Sequence, residues 1–131
     1  MVAEALADIG NKDVQSIAIS ETATSLAGGA SVNRVPKEPS TGKRIVVTSI
    51  GQLHLQLAYG ADVSAQFKSD TTALTGVIRF TNTNNNLNID YMPDGIFRTA
   101  IDEDLVVTIK NERASGTTTS TATGWMNYYE E

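Results

Sequence analysis

The segment from Arg44 to Tyr59 alternates between apolar and polar residues with a period of two. One parity carries the apolar residues Ile45, Val47, Leu53, Leu55, Leu57 and Tyr59, and the other carries the polar residues Thr48, Gln52, His54 and Gln56. This period is typical of a half-buried β-strand, because successive side chains point to opposite faces. One strand of this length would span about 50 Å at about 3.3 Å per residue, so we expect a break near Gly51 and two shorter strands.

Short alternating segments separated by turn residues continue to the end of the chain. They predict strands at residues 63–68, 76–81, 87–91, 96–100, 105–109 and 122–129. About eight strands at intervals of roughly 8 to 12 residues, with no long helical pattern, are typical of an all-β sandwich or barrel. We therefore predict a single jelly-roll-like β-sandwich or barrel of about eight strands.

Residues 1–43 have a different composition from the rest of the chain. Short apolar pieces at 2–9 and 14–19 are separated by polar and glycine-rich joints, and Pro36 and Pro39 precede a turn-prone segment. Ordering a residue costs about 1 kcal/mol or more, and this segment has few large apolar groups to offset that cost. We predict an extended, partner-dependent N-terminal arm at residues 1–43 and a β-sandwich domain at residues 44–131.

Two details of the arm lead to separate expectations. Residues 14–19 can add a strand to the sheet of the domain, while the remainder holds a partner. The arm residues expected to contact that partner are the apolar Val14, Ile17, Ile19 and Val35. Deleting residues 1–40 is then expected to leave the domain folded.

Composition narrows the classes of partner. The net charge is -5, and the ten basic residues are scattered, which argues against a nucleic-acid partner. The chain has no cysteine, so disulfides and thiolate metal sites are excluded. The N-terminal residues carry two acids and no basic residue before Lys12, which is not typical of a signal peptide, and no apolar run is long enough for a bilayer. We expect a protein made in a cytoplasm, with no membrane partner.

The sequence offers no catalytic constellation. His54 is the only histidine, and no nucleophile elbow is present, so we expect no enzyme activity, no cofactor and no metal. A surface or subunit-contact role suits His54 better, with Gln52, His54 and Gln56 facing their own copies around a symmetry axis. The acidic run Asp102, Glu103 and Asp104 could hold a hard cation, but a solvated turn is the favoured interpretation.

Two further features leave alternatives open. The loop at residues 82–86 contains Asn82, Asn84, Asn85 and Asn86, which could hydrogen-bond a glycan, although no aromatic platform lies nearby in sequence. Trp125, Tyr128 and Tyr129 predict the core and edge of a terminal strand, and an exposed aromatic among them could anchor a protein partner. Trp125 and Tyr128 therefore join Gln52, His54 and Gln56 as candidates for a subunit interface.

Five motifs resemble a group of small virion structural proteins of tailed bacteriophages. They are Gly-Lys-Arg-Ile-Val-Val at 42–47, Phe-Lys-Ser-Asp-Thr-Thr-Ala-Leu-Thr-Gly at 67–76, Pro-Asp-Gly-Ile-Phe-Arg-Thr at 93–99, Asp-Leu-Val-Val-Thr-Ile at 104–109 and Gly-Trp-Met-Asn-Tyr at 124–128. The resemblance covers residues 42–129 and not the arm.

This resemblance implies a capsid decoration, or cement, protein. Such a protein would form a homotrimer on the capsid exterior of the virion, over three-fold positions, and would clamp neighbouring subunits of the major capsid protein through its arm. The alternative is a tail-tip or surface module that binds host glycan. A small hydrolase is a third hypothesis, for which the sequence supplies no nucleophile and base.

Overall fold

The computed structural model describes the backbone of residues 13–57, 62–81 and 86–131, and their side chains except at 19–25, 55–57 and 118–122. Within these residues the chain forms β-strands and no helix, which confirms the predicted all-β class. The strands are β1 (Gln15–Ala27), β2 (Ser31–Lys37), β3 (Ile45–Leu57), β4 (Asp62–Ser69), β5 (Thr72–Ala73), β6 (Ile78–Thr81), β7 (Asn86–Ile89), β8 (Phe97–Arg98), β9 (Leu105–Asn111) and β10 (Thr117–Glu130).

The strands form two antiparallel sheets that do not close into a barrel. Sheet A has the order β1-β10-β3-β7, and β8 also pairs with β3. Sheet B has the order β2-β9-β4-β5, and β6 also pairs with β4. Strands that are far apart in sequence therefore lie side by side, and β1 and β2 lie at the edges of different sheets.

The hydrophobic core lies between the two sheets. Phe67 of β4 and Phe97 of β8 stack across this space, with ring centroids 5.1 Å apart. β9 supplies three more core residues with the alternation that the sequence predicts, at Leu105, Val107 and Ile109. Burying several large apolar side chains, at roughly 1.5 to 3 kcal/mol each, is the main force that holds the sheets together.

β3 is one continuous strand whose inward parity changes twice. Its core residues are Ile45, Val47, Ile50 and Leu53. The register between β3 and β10 shifts at two places. The first shift lies between the pairs Asn127–Ser49 and Tyr128–Val47, where Thr48 is an extra residue. The second lies next to Gly51. The predicted break near Gly51 is therefore a β-bulge, and Ile50 points into the core against the predicted parity. The side chains of Leu55 and Leu57 lie outside the described residues.

The prediction of an arm needs correction for residues 15–37. β1 pairs with β10 from Gln15 opposite Tyr128 to Ala27 opposite Thr117, with one irregularity. β2 pairs with β9, and Leu26 is a core residue with 8% exposure. An edge strand is held largely by backbone hydrogen bonds to its neighbour, so it does not need the large apolar groups that this segment lacks. Of the added strand foreseen at residues 14–19, residues 15–19 lie within β1 and Val14 precedes it, and residues 1–12 lie outside the described residues.

A buried asparagine joins β1 to the connection between β9 and β10. Asn111 is 0% exposed, and its Nδ2 donates to the carbonyl oxygens of Leu26 at 2.9 Å and Gly116 at 3.3 Å. Its Oδ1 accepts a hydrogen bond from the Arg113 backbone N–H at 3.1 Å. A buried polar group is stable when its donors and acceptors are paired, so Asn111 fixes the end of β1 to the body of the sandwich.

Candidate binding site on the outer face of sheet A

An open depression lies on the outer face of sheet A, where β10, β3 and β7 run side by side. Its volume is about 450 Å³, and its lining residues are Gln52, His54, Asn86, Thr123, Gly124 and Trp125. Met126 and Tyr128 of β10 point into the core, so Trp125 points outward by the alternation of the strand.

Trp125 lies directly over the backbone of Gly51, its register partner on β3. A Cβ atom at position 51 would overlap the Nε1 and Cε2 atoms of the indole, so the ring can occupy this place only above a glycine. The side chain is nevertheless 42% exposed. The ring therefore packs against the strand beneath it, while much of its surface remains open to solvent.

The floor of the depression is shaped by the bulge that Gln52 and Gly124 form. Gln52 has a positive φ of 48°, and its backbone N–H donates to Oδ1 of Asn88 at 2.6 Å. Opposite it, Gly124 has a φ of 153°, and a Cβ atom there would lie 2.8 Å from the Gln52 carbonyl oxygen. The glycine thus allows the two backbones to approach closely at this point.

His54 and Asn86 form the rim of the depression on the side of β7. They are register partners, and Nδ1 of His54 lies 3.0 Å from Oδ1 of Asn86. Because an amide oxygen only accepts, Nδ1 is the protonated ring nitrogen in this bond. In the neutral imidazole, Nε2 is then an acceptor.

The lining of the depression carries no Asp, Glu, Lys or Arg. Ion pairs lie elsewhere on the surface, as between Arg44 and Glu131 at 2.7 Å, or Arg79 and Asp62 at 2.5 Å. The hydrogen bond and charge of Asp62 raise the pKa of Arg79. The depression therefore combines apolar surface with uncharged hydrogen-bonding groups.

The structure brings three of the five predicted subunit-contact residues together. Gln52, His54 and Trp125 line the depression, whereas the side chain of Gln56 lies outside the described residues.

The fifth candidate, Tyr128, does not line the depression, since it is 4% exposed and belongs to the core. Its hydroxyl donates to Oε1 of Gln15 at 2.9 Å, and the Nζ atom of Lys37 lies 5.6 Å from its ring centroid. Tyr128 packs inside its own chain and offers no surface to another copy.

The four arm residues predicted to contact a partner differ in how much of each side chain is exposed. Val14 and Val35 are exposed, at 39% and 45%. Ile17 is half-buried and packs against the core, and the side chain of Ile19 lies outside the described residues.

The acidic run at residues 102–104 is a hydrogen-bonded turn. Oδ1 of Asp102 accepts from the backbone N–H of Gly42 at 2.5 Å, and Oε2 of Glu103 accepts from the Ser69 hydroxyl. The backbone N–H of Asp104 donates to Oδ1 of Asp70 at 2.9 Å. The Asp102 and Glu103 carboxylates thus hold different parts of the chain, and the described residues contain no group of three metal-ligating side chains.

The comparison with known proteins adds no relative. No protein-family model, curated protein or solved structure matches this chain. In the part of the chain that the structure describes, no helix has the length and apolar character needed to cross a bilayer.

Proposed function

We propose that this protein is a non-enzymatic decoration protein of a tailed-bacteriophage capsid, built on a jelly roll. The five sequence motifs support the class. The strand order supports the jelly roll, because eight strands remain when the two-residue strands β5 and β8 are set aside. They form four-stranded sheets with the orders β1-β10-β3-β7 and β2-β9-β4-β6, as expected for a double-sheet fold of two Greek keys.

The observation that carries the attachment proposal is the position of β1 and β2. Each lies at an edge of its sheet, and the two strands contact each other, so both edges lie on the same side of the sandwich. Edge strands present backbone N–H and C=O groups that can pair with another chain. The exposed Val14 and Val35 lie in this N-terminal segment. We assign this side, the β1/β2 edge, to contact with the major capsid protein.

Trimerisation would make this contact effective. Three β1/β2 edges held together on one trimer act through their effective concentration, so weak single contacts give firm attachment to a shell. The trimer would hold neighbouring capsid subunits together on the capsid exterior, without contact with DNA.

Shell binding tests the proposal. The protein is examined by sedimentation, alone and with shells assembled from the major capsid protein of the same phage. We expect a trimer that binds assembled, expanded shells and does not bind free capsid subunits. A monomer with no affinity for shells would contradict the proposal.

Two matched variants locate the contact. Val35→Asp places a charge on the β1/β2 edge and should weaken shell binding about tenfold or more, since a charge without a partner is costly at an interface. Val77→Asp is the control, because Val77 is 56% exposed and lies next to β6, at the edge of sheet B opposite β2. Equal effects of the two substitutions would rule out the β1/β2 edge as the contact.

The alternative, a tail-tip or surface module that binds host glycan, gains support from one observation. Asn86 and the exposed Trp125 line the same depression although they are distant in sequence. The aromatic platform that the sequence lacks near its asparagine loop is therefore supplied by β10.

A further inference from the structure

We propose that the depression on the outer face of sheet A is a binding site for a neutral saccharide. The inference rests on the glycan-binding alternative, for which it names the ligand class and the binding residues, and it does not depend on the capsid role. It follows from three properties of the depression: an exposed aromatic ring, a rim of uncharged hydrogen-bonding groups, and a concave shape.

The aromatic ring provides an apolar platform. Trp125 lies over Gly51 and is 42% exposed, so its ring presents apolar surface at the depression before a ligand arrives. A pyranose ring has an apolar face of C–H groups that matches the face of an indole. Aromatic side chains of this kind combine a large contact area with a polar N–H at one edge.

The rim provides the hydrogen bonds that sugar hydroxyls require. Gln52 carries an amide, Thr123 a hydroxyl, and His54 an imidazole whose Nε2 is an acceptor when Nδ1–H faces Asn86. Each sugar hydroxyl can donate and accept, so a mixed rim of donors and acceptors suits it. A few polar groups around an apolar surface are typical of small-molecule sites.

The charge of the lining sets the class of saccharide. The six lining residues include no Lys or Arg to pair with a carboxylate, sulfate or phosphate, so a neutral sugar fits better than an acidic one. They also include no Asp or Glu, whereas most glycosidases need a pair of carboxylates. We therefore expect binding without cleavage.

The shape of the depression suits a small ligand. A concave surface needs a protruding group to fill it, and a saccharide ring is such a group. A volume of about 450 Å³ is within the usual range of roughly 300 to 1,000 Å³ for ligand sites. Because the site is open, we expect a Kd on the order of 1 mM for one ligand. Many copies on one particle would bind a glycan-coated surface much more strongly.

The test is saturation-transfer NMR on the full-length protein with a panel of neutral monosaccharides and disaccharides, together with one sialylated sugar. We expect transfer to at least one neutral sugar and none to the sialylated one. Trp125→Ala should weaken binding about tenfold or more, whereas Trp125→Phe keeps a ring and should retain part of it. His54→Ala should also weaken binding. Tyr91→Ala is the matched control, since Tyr91 is 46% exposed and does not line the depression.

The outcomes of this experiment test the saccharide site whether or not the protein binds a capsid. Absence of binding to every neutral sugar, or binding that Trp125→Ala leaves unchanged in a protein that still unfolds cooperatively, would overturn it. A change of oligomeric state in Trp125→Ala, with no sugar bound by the original protein, would also overturn it and assign the face to subunit contact. Shell sedimentation of the same variant separates the two roles, because the saccharide proposal expects attachment to be unchanged.

Discussion

Trp125 of β10 occupies the space in which Gly51 of β3 would carry a side chain. The two residues are register partners in sheet A, and the absent Cβ of one is what allows the indole of the other to lie over the strand. The outer face of sheet A therefore has its shape because a glycine and a tryptophan meet across two strands that are far apart in sequence.

Gly51→Ala should displace the indole and destabilise the protein. We expect a loss of about 1 to 3 kcal/mol in the free energy of unfolding, as for other overpacked sites. Trp125 is the only tryptophan in the chain, so its fluorescence reports on this position alone, and its emission should shift on substitution. Urea unfolding followed by that emission gives both quantities.

The control for this prediction is Gly76→Ala. A Cβ atom at position 76 would have no neighbour within 4 Å, so this substitution should change stability by less than about 0.5 kcal/mol. If Gly51→Ala is as well tolerated as Gly76→Ala, the contact between Gly51 and Trp125 is not present.

Deletion of residues 1–40 should abolish cooperative folding. The sequence predicts that the remaining domain folds without them, but the pairing of β1 with β10 and of β2 with β9 leads to the opposite expectation. The deletion would expose the edges of β10 and β9 and remove Leu26 from the core. Circular dichroism during thermal unfolding measures the result. A sharp transition in the truncated protein would show that residues 44–131 fold alone.

Asn111→Ala should lower the free energy of unfolding by more than the substitution of an exposed polar residue does. Removal of the amide leaves the buried carbonyl oxygen of Leu26 without this donor, and an unpaired buried polar group costs about 1 to 3 kcal/mol. Asn33→Ala is the matched control, because Asn33 is exposed and its Oδ1 accepts only a surface hydrogen bond from Thr108. We expect the control to cost less than about 1 kcal/mol in urea unfolding. Equal losses of stability in the two variants would show that the hydrogen bonds of Asn111 do not fix the end of β1.

Glu130 should make stability depend on pH in the acid range. Hydrogen bonds from the backbone N–H of Ser40 at 2.6 Å and from its hydroxyl at 3.1 Å lower the pKa of Glu130. The folded state then binds a proton less readily than the unfolded state. This contribution is fully present above the ordinary value of about 4.5 and is lost as the pH falls through the lower, folded pKa.

Glu130→Gln measures this contribution. At neutral pH we expect the variant to be less stable by a few tenths to about 1 kcal/mol, because the group is near the surface. The difference between the two proteins should shrink as the pH falls below about 4.5. A difference that stays constant between pH 7 and pH 3 would mean that the carboxylate charge is not involved.

The sequence predicts those parts of the fold that depend on neighbours along the chain. The alternation at residues 105–109 marks β9, because both its period and its β-branched residues are typical of a buried strand. β2 and most of β1 are not predicted, since the Ser, Thr and Ala residues of β1 and the polar residues and Pro36 of β2 give little apolar periodicity. Their pairing partners lie far away in the chain, as in the pairing of Ser31 with Lys110.

The candidate site depends even more on long-range pairing. His54 and Trp125 stand out in the sequence as a lone histidine and a lone tryptophan, but their neighbourhood is set by the order of β10, β3 and β7. The inward position of Ile50 likewise follows from the bulge at Thr48, which exists only in the pairing with β10. The one local signal of the site is the pair of glycines at positions 51 and 124, which marks places where a backbone or a ring approaches closely.

Electron cryomicroscopy of shells incubated with the full-length protein tests the capsid role most directly. We expect trimeric density over three-fold positions of the expanded shell, with the β1/β2 edge against the capsid subunits and the Trp125 depression open to solvent. Shells without added density, or density in which a different side of the sandwich faces the shell, would contradict the account.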